Sequence, residues 1–482
     1  MRDREQRVNT PGRDKPNIIL IMTDQQRYDT IRALGFPHVK TPTLDRLVQE
    51  GVSFAQCYCA APSCVPSRAS FFNALYAHTL GVFQNYDPWD QTWVEQFQAA
   101  GYHTVNVGNM HTVPLDAPAG FDQRLIVENK ARLLRLNQPH GAPYDEWDKF
   151  LHNLGMRKPS REVYRDEHPH YATALGAFDW PLAEEYHPDV FVARMARWFI
   201  EERQFQNPFF LMLGFPGPHP PYDPPRRVLQ EYAGVDLPLP EVGTEELARQ
   251  PPCHAVLRRE MVVGNHDAIQ WSEAPSREQL LLLRRHYAAN VTLIDELIGQ
   301  VLETLEQRGL LDNAIVIFTS DHGDCLGDHG LIQKWVMHDC IVRVPMVIWA
   351  PGRLPRGKRV EALVQQMDIV PMLFHLAGLE YCGKTPAMDA LPLALGEGSG
   401  REAVFAEQAA DNVFKGTRFA TMVRTADWKL VHYLGEEWGE LYDLRRDPGE
   451  VRNLWNEADY ADVKREMLHR LLDWRIRDSL QR

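Results

Sequence analysis

A chain of 482 residues, 44% hydrophobic and 24% charged, can build about two or three folding units and is too balanced for a disordered or collagen-like polymer. Its 52 Lys plus Arg against 65 Asp plus Glu leave a net charge of −13, which disfavours non-specific binding to nucleic acid or to an anionic membrane. Seven Cys are too few for a disulfide scaffold, no apolar run reaches the roughly 18 residues of a membrane span, and the opening residues are polar, so a cytoplasmic protein without membrane partners is expected.

Residues 1–15 read as a polar N-terminal extension. The run NIILIMT at 17–23 has the continuous apolar pattern of a strand buried on both faces, and runs of the same kind recur at 104–107, 208–214 and 314–319. Between them lie helical periods. The clearest is 279–309, where Ile294, Leu297, Ile298, Val301, Leu302 and Leu305 share one face. Buried strands alternating with helices predict an α/β fold over residues 16–382, with a mainly parallel central sheet flanked by helices. Such sheets place their chemistry beyond the carboxyl ends of the strands. Residues 120–185 and 220–275 lack periodicity and are expected as long loops over that end. From residue 383 the texture changes. Short alternating segments at 403–407, 419–425, 429–434 and 440–444, broken by Gly435 and Asp447-Pro448-Gly449, predict a small antiparallel sheet. An amphipathic stretch at 460–479 closes this C-terminal α+β subdomain, residues 383–482.

Three clusters carry chemistry. Asp24-Gln25 follows the first buried strand and offers hard oxygen ligands for a divalent cation. Cys64-Val-Pro-Ser-Arg68 has a Pro suited to a first helical turn, which places Cys64 at the positive end of a helix with a cation one turn on. Asp321-His322-Gly323 follows the last buried strand, and Gly323 allows the break that lets adjacent Asp and His side chains face one ion. Each cluster taken alone reads more simply as a buried thiol, a strand terminator or a surface loop.

Together, in this order and spacing, they resemble the formylglycine-dependent sulfatases of the alkaline phosphatase superfamily. Thr41-Pro-Thr-Leu-Asp-Arg-Leu47, Val342-Arg-Val-Pro-Met346 and Glu440-Leu-Tyr-Asp-Leu444 with Asn453-Leu454 extend the likeness over nearly the whole chain beyond residue 16. The resemblance implies that a maturation enzyme oxidises Cys64 to formylglycine. Its hydrate then attacks sulfur, giving a covalent sulfated hemiacetal that releases sulfate as the aldehyde re-forms. It implies that Asp24, Gln25, Asp321 and His322 hold one divalent metal beside Cys64, that Arg68 orients the hydrate, and that His111 takes a proton as the intermediate collapses. His219 and Lys334 would contact the ester oxygens and help the leaving group depart. The implied activity is a metal-dependent arylsulfatase type of sulfuric ester hydrolase acting on a small anionic ester, an aryl or alkyl sulfate. Sulfatases are often dimers or tetramers, so a homo-oligomer is implied as well.

The sequence also departs from that pattern. Many sulfatases carry Asp-Asp at the first metal position and Gly-Lys-x-His later, where this chain has Asp24-Gln25 and Gly108-Asn109-Met110-His111. Asp24-Gln25 and Val82-Phe-Gln-Asn85 look more like the phosphonate monoester hydrolases, whose corresponding Asn contacts the transferring group; Asn85 and Asn109 are therefore assigned to substrate binding. A phosphonate monoester or phosphodiester hydrolase with the same nucleophile is the alternative reading, as is turnover of both ester classes. A non-catalytic metal-binding relative, and a zinc or redox cluster built on Cys57-Tyr-Cys59 with Cys64, are further alternatives. Two carboxylates, an amide and an imidazole carry a ligand charge of about −2 and favour Ca²⁺, with Mn²⁺ the alternative. Asn73-Ala74 replaces the family's usual Thr-Gly after the nucleophile, and Trp89, Tyr86 and Tyr222 are candidates to line the entrance.

Overall fold

Ile18, Ile19, Leu20, Ile21 and Met22 are each 0% exposed, as an uninterrupted apolar strand must be when helices cover both faces of its sheet. They lie in β1 (Asn17–Asp24), near the middle of an eight-stranded sheet in a computed structural model that describes residues 15–128, 130, 145–263 and 266–480. The other strands are β2 (Val52–Tyr58), β3 (His103–Gly108), β4 (Gln123–Ile126), β5 (Phe209–Pro218), β6 (Ala314–Ser320), β7 (Met346–Trp349) and β8 (Lys358–Gln365). Their order is β4-β3-β5-β1-β6-β7-β2-β8. The expected buried runs are thus four neighbouring strands, β3, β5, β1 and β6, paired in parallel. β7 runs antiparallel to β6 and β2, which makes the sheet mixed but mainly parallel. All but Lys15 of the polar extension at 1–15 lies outside the described residues.

The long helix Arg277–Gln307 begins two residues earlier than its apolar period suggests, because Ser276 and Gln279 form a reciprocal capping box. It packs on the helix Pro188–Glu202 and on β5. From its middle, the Asp295 carboxylate accepts the backbone N–H groups of Thr43 (2.9 Å) and Leu44 (2.8 Å), satisfying the first turn of the helix Pro42–Glu50. The stretches expected as loops instead carry helices, among them Glu146–Asn153, Arg161–Glu167 and Pro252–Val263. Tertiary packing of Trp147, Tyr164 and Leu257, all buried, fixes helices whose sequence period is too short to read. Residues 129, 131–144 and 264–265 of these stretches lie outside the described residues. Among the described residues, no helix is long and apolar enough to cross a membrane.

The C-terminal segments form β9 (Val404–Ala409), β10 (Phe419–Arg424), β11 (Trp428–Tyr433) and β12 (Gly439–Asp443), an antiparallel sheet ordered β12-β11-β10-β9. The helix Ala461–Leu480 packs on β10 and β11, and its Trp474 stacks on Phe405 at 4.5 Å and meets Tyr76 edge-on. This sheet is tied to the rest by a buried ion cluster. Lys429 of β11, with no exposed surface, donates to the Met337 carbonyl (3.0 Å) and Asp339 (2.5 Å), and pairs with Glu450. Removing the ammonium strands two buried carboxylates. Lys429→Met is expected to lose roughly 3–5 kcal/mol of stability, read as a lower urea midpoint in equilibrium unfolding, whereas Arg446→Met on the exposed edge changes it little.

Candidate active site

β1 and β6 are adjacent and parallel, with Thr23 opposite Ser320. The chain therefore releases Asp24 and Asp321 side by side at the carboxyl end of the sheet, where an open parallel sheet places its ligands. Just beyond, Gly323 passes so near the next segment that a Cβ there would lie 2.0 Å from the Cys340 carbonyl oxygen, so only glycine lets the chain turn and bring His322 beside Asp321. On the other flank, Gly108 has a φ of 107° and a Cβ on it would lie 1.8 Å from the Gly214 carbonyl oxygen. That close approach of β3 to β5 carries Asn109 and His111 over the end of β1. The helix Cys64–Asn73 enters the same space with every residue from Cys64 to Phe72 buried. It ends at Ala74 with φ 52°, the left-handed conformation that a glycine takes without strain; Ala74 accepts that strain while its carbonyl takes the Thr385 hydroxyl at 2.6 Å.

Donor atoms of Asp24, Cys64, Asp321 and His322 all lie within 4.8 Å of one another, and all four residues are buried. The Cys64 sulfur is 3.6 Å from Asp24 Oδ1 and 3.3 Å from His322 Nε2. The other His322 nitrogen, Nδ1, faces the Gly323 carbonyl at 2.9 Å, which leaves Nε2 aimed at the cluster. Gln25, at φ 70°, donates Nε2 to Asp324 (2.6 Å), and its Oε1 is buried without a hydrogen-bond partner. Asp324 is in turn fixed by the Tyr222 hydroxyl at 2.6 Å and by the Leu326 and Gln333 amides. An orphan amide oxygen, two carboxylates and an aimed imidazole form a donor set that fits a hard divalent cation.

Arg68, 0% exposed, donates Nε to Asp321 (2.8 Å) and Nη1 to the Asn109 carbonyl (3.2 Å), and its Nη2 lies 3.7 Å from Asp24. Asn109 donates Nδ2 to the same Asp24 oxygen (2.9 Å) that faces His111 Nε2 at 2.8 Å. The other His111 nitrogen pairs with Glu128, whose carboxylate also takes the His111 backbone N–H at 3.2 Å. Across the pocket, Lys334 Nζ lies 2.8 Å from the Cys64 sulfur and 3.3 Å from His219 Nε2, and Asp267 stands 3.6 Å from that same His219 nitrogen.

Burial and Asp24 push the Cys64 thiol up, but Lys334, His322 and His111 outweigh them and hold it well below the usual thiol range. Burial opposes the charge on His111, yet Glu128 and Asp24 keep its proton affinity well above that of a free imidazole. Asp24 is held well below the usual carboxylate range by His219, His111 and Arg68 in spite of its burial.

The structure thus brings together Asp24, Gln25, Cys64, Arg68, Asn109, His111, His219, Asp321, His322 and Lys334. Asn85 stands at the edge of this group, its Oδ1 accepting the Val65 N–H (3.2 Å) in the first turn of the helix Cys64–Asn73. Tyr222 and Trp89 do not line an entrance. Tyr222 is fully buried on Asp324, and buried Trp89 donates its ring N–H to the His111 carbonyl at 2.7 Å; Tyr86, 81% exposed, faces solvent. Cys57 and Cys59 lie on and just after β2, outside the donor group that includes Cys64, and burial pushes the Cys59 thiol up to about 12. Glu128, Asp267 and Asp324 were not singled out from sequence. Glu128 follows the end of β4 by two residues, and β4 (QRLI) has no buried apolar run to mark it as a strand in the sequence.

This arrangement is an alkaline phosphatase-like fold with a charged, buried site at the strand ends. The superposition with phosphonate monoester hydrolase of Agrobacterium radiobacter has a TM-score of 0.81 at 25% identity and covers 96% of each chain. The sulfatase family model matches residues 16–379, and a model described as N-sulphoglucosamine sulphohydrolase, C-terminal, matches 327–477. The chain belongs to the sulfatase family. It is 28% identical to the arylsulfatase of Clostridium perfringens over 481 residues, 96% of this chain and 95% of that protein. To the choline-sulfatase of Rhizobium meliloti it is 29% identical over 449 residues, 91% and 82% of the two chains.

Because Lys334 is the nearest cation to the Cys64 sulfur, Lys334→Met is expected to raise the thiol's pKa. In protein with unoxidised Cys64, the onset of iodoacetamide alkylation at this residue, followed by peptide mass spectrometry, should move to higher pH than in wild type. An unchanged onset would mean that Lys334 does not set the thiolate.

Proposed function

We propose that the protein hydrolyses sulfate monoesters of small aryl or alkyl alcohols, using a formylglycine nucleophile made from Cys64 by a maturation enzyme. One divalent ion, Ca²⁺ or alternatively Mn²⁺, would be held by Asp24, Gln25, Asp321 and His322. The observation that carries this reading is the convergence of Asp24, His322 and Lys334 on the Cys64 sulfur in a buried pocket. Membership of the sulfatase family and the likeness to an arylsulfatase along nearly the full chain support it.

Such an ion would stabilise negative charge on the ester and on a nucleophilic oxygen, and oxidation of Cys64 would supply that oxygen. The chain's own groups would do the rest. Arg68, locked by Asp321 and the Asn109 carbonyl, would place a fixed guanidinium beside the reacting atoms, where a preorganised cation acts without reorganisation. His111, clamped between Glu128 and Asp24, would hold a proton at Nε2 next to residue 64. His219 and Lys334 would supply a proton and positive charge to the leaving oxygen, with Asp267 orienting His219. Burial of these groups strengthens each interaction by excluding water.

A second reading, hydrolysis of phosphonate monoesters or phosphodiesters by the same groups, is supported by the fold superposition and by Asn85 on the first turn of the nucleophile helix. The deciding measurement is kcat/KM for a sulfate monoester and a phosphonate monoester with one aryl leaving group, normalised to the formylglycine content at residue 64. Sulfate is expected to be preferred by more than about tenfold, or roughly 1.4 kcal/mol in transition-state binding. Cys64→Ala is expected to lose at least about 10³-fold in kcat. Chelation should abolish turnover and Ca²⁺ or Mn²⁺ should restore it. A phosphonate preference selects the second reading, a Cys64 that is never oxidised selects a non-catalytic metal-binding relative, and no turnover of either ester by fully converted protein would overturn both ester readings in favour of a different substrate.

A further inference from the structure

We propose that His254, His338 and Glu440 form a second cation site, sharing no residue with the cluster at Cys64, for a first-row divalent ion of the zinc class. The three come from separate parts of the chain. His254 lies in the first turn of the helix Pro252–Val263, His338 precedes the short helix Asp339–Val342, and Glu440 is on β12. Their exposures are 0%, 1% and 1%, and one donor atom from each lies within 4.8 Å of the others.

The spacing is wrong for hydrogen bonds and right for a shared ion. His254 Nε2 is 3.6 Å from Glu440 Oε1, and His338 Nε2 is 3.9 Å from Glu440 Oε2. Hydrogen bonds of this kind end near about 3.2 Å. Two donors bound tetrahedrally to zinc at about 2.0–2.1 Å stand roughly 3.3 Å apart, so a small inward shift completes the site. Both ring nitrogens of His338, and Nδ1 of His254, are buried without a hydrogen-bond partner, which is unusual for imidazole in a protein interior. His254 Nε2 has a long contact, 3.4 Å, to the Tyr433 hydroxyl. Glu440 is already oriented by the Tyr433 hydroxyl at 2.5 Å and the Tyr442 hydroxyl at 2.7 Å, the kind of outer support that ligating carboxylates take.

Ring geometry separates this trio from its neighbour. The planes of His254 and His338 cross at 64° with centroids 5.7 Å apart, so their lone pairs can converge. His329, by contrast, stacks on His338 at 3.6 Å and 11°, which sends the lone pairs side by side, and its Nδ1 is engaged by Glu246 at 2.8 Å. Two imidazoles and one carboxylate suit Zn²⁺, whereas the oxygen-rich group at Asp24 suits a harder ion. An ion here would staple the small sheet to the loop that carries Lys334, four residues before His338.

The test uses the full chain in a Cys64→Ala, Asp321→Asn background, which removes donors from the other cluster. Protein is stripped with chelator, loaded with Zn²⁺, desalted and assayed for metal by mass spectrometry. The background protein is expected to keep about one zinc per chain, with a thermal midpoint a few degrees above the stripped form. Adding His254→Gln or His338→Phe should abolish both effects in protein whose circular dichroism shows it folded. Should those variants not fold, Co²⁺ added to the background protein decides: visible ligand-field bands that Zn²⁺ displaces support the site. Retention of no zinc with no cobalt bands, or equal zinc retention after either His substitution, would overturn it.

Discussion

Two carboxylates at the ends of neighbouring parallel strands cannot both stay ionised in a dry interior unless positive charge is fixed between them. Asp24 and Asp321 are in that position because β1 and β6 are paired in register, and both are fully buried. Arg68 meets the requirement by bonding Asp321 while standing 3.7 Å from Asp24. Its own burial is tolerable only because those anions are there, so the strands and the helix Cys64–Asn73 hold one another in place through charge. Every other charged side chain of the pocket follows from this arrangement. His111 adds a second cation on Asp24 and requires Glu128 behind it, while Lys334 faces the Cys64 sulfur and is balanced by Asp267 through His219.

A chain with a net charge of −13 therefore contains a pocket whose inward-facing groups include a guanidinium, an ammonium and imidazoles. The overall charge governs what the surface meets, and the local field governs what the pocket holds. The proposed anionic ester would enter a site where cations are already oriented, and the acids behind them fix their positions as well as their charge. That division explains why Asp324 matters without facing a substrate: it holds the Gln25 amide, Tyr222 and two backbone N–H groups, and so fixes which end of Gln25 is left over.

Much of this was legible in the sequence because it depends on local pattern. Continuous apolar runs marked β1, β3, β5 and β6, and the last residue of β1 and the first after β6 supplied the two carboxylates. Strand order was not legible, since pairing β1 with both β5 and β6 depends on contacts hundreds of residues apart. The helices at 146–153 and 161–167 were missed because they are short and are stabilised by packing of Trp147 and Tyr164 rather than by a repeating apolar face. Glu128 and Asp267 have no motif around them. Their importance arises only from what they stand behind, which a sequence does not display.

The departures from the family pattern make sense when taken together at Asp24. A second carboxylate at position 25 would add an anion to a cluster that already holds Asp24 and Asp321, and a Lys at position 109 would add a cation against Asp24. This chain has an amide at both places. Asn109 bonds Asp24 at 2.9 Å, and Gln25 leaves a buried oxygen unpaired, so neither amide adds a charge to the cluster. Neutral groups cost less to bury than ions, and removing one charge of each sign leaves the local balance unchanged. Restoring only one of the pair would upset that balance, so the two positions are electrostatically linked through the cluster they border. The surroundings of the Cys64 sulfur are then less polarised by fixed side chains than in a pocket with Asp and Lys, and depend more on Arg68 and Lys334.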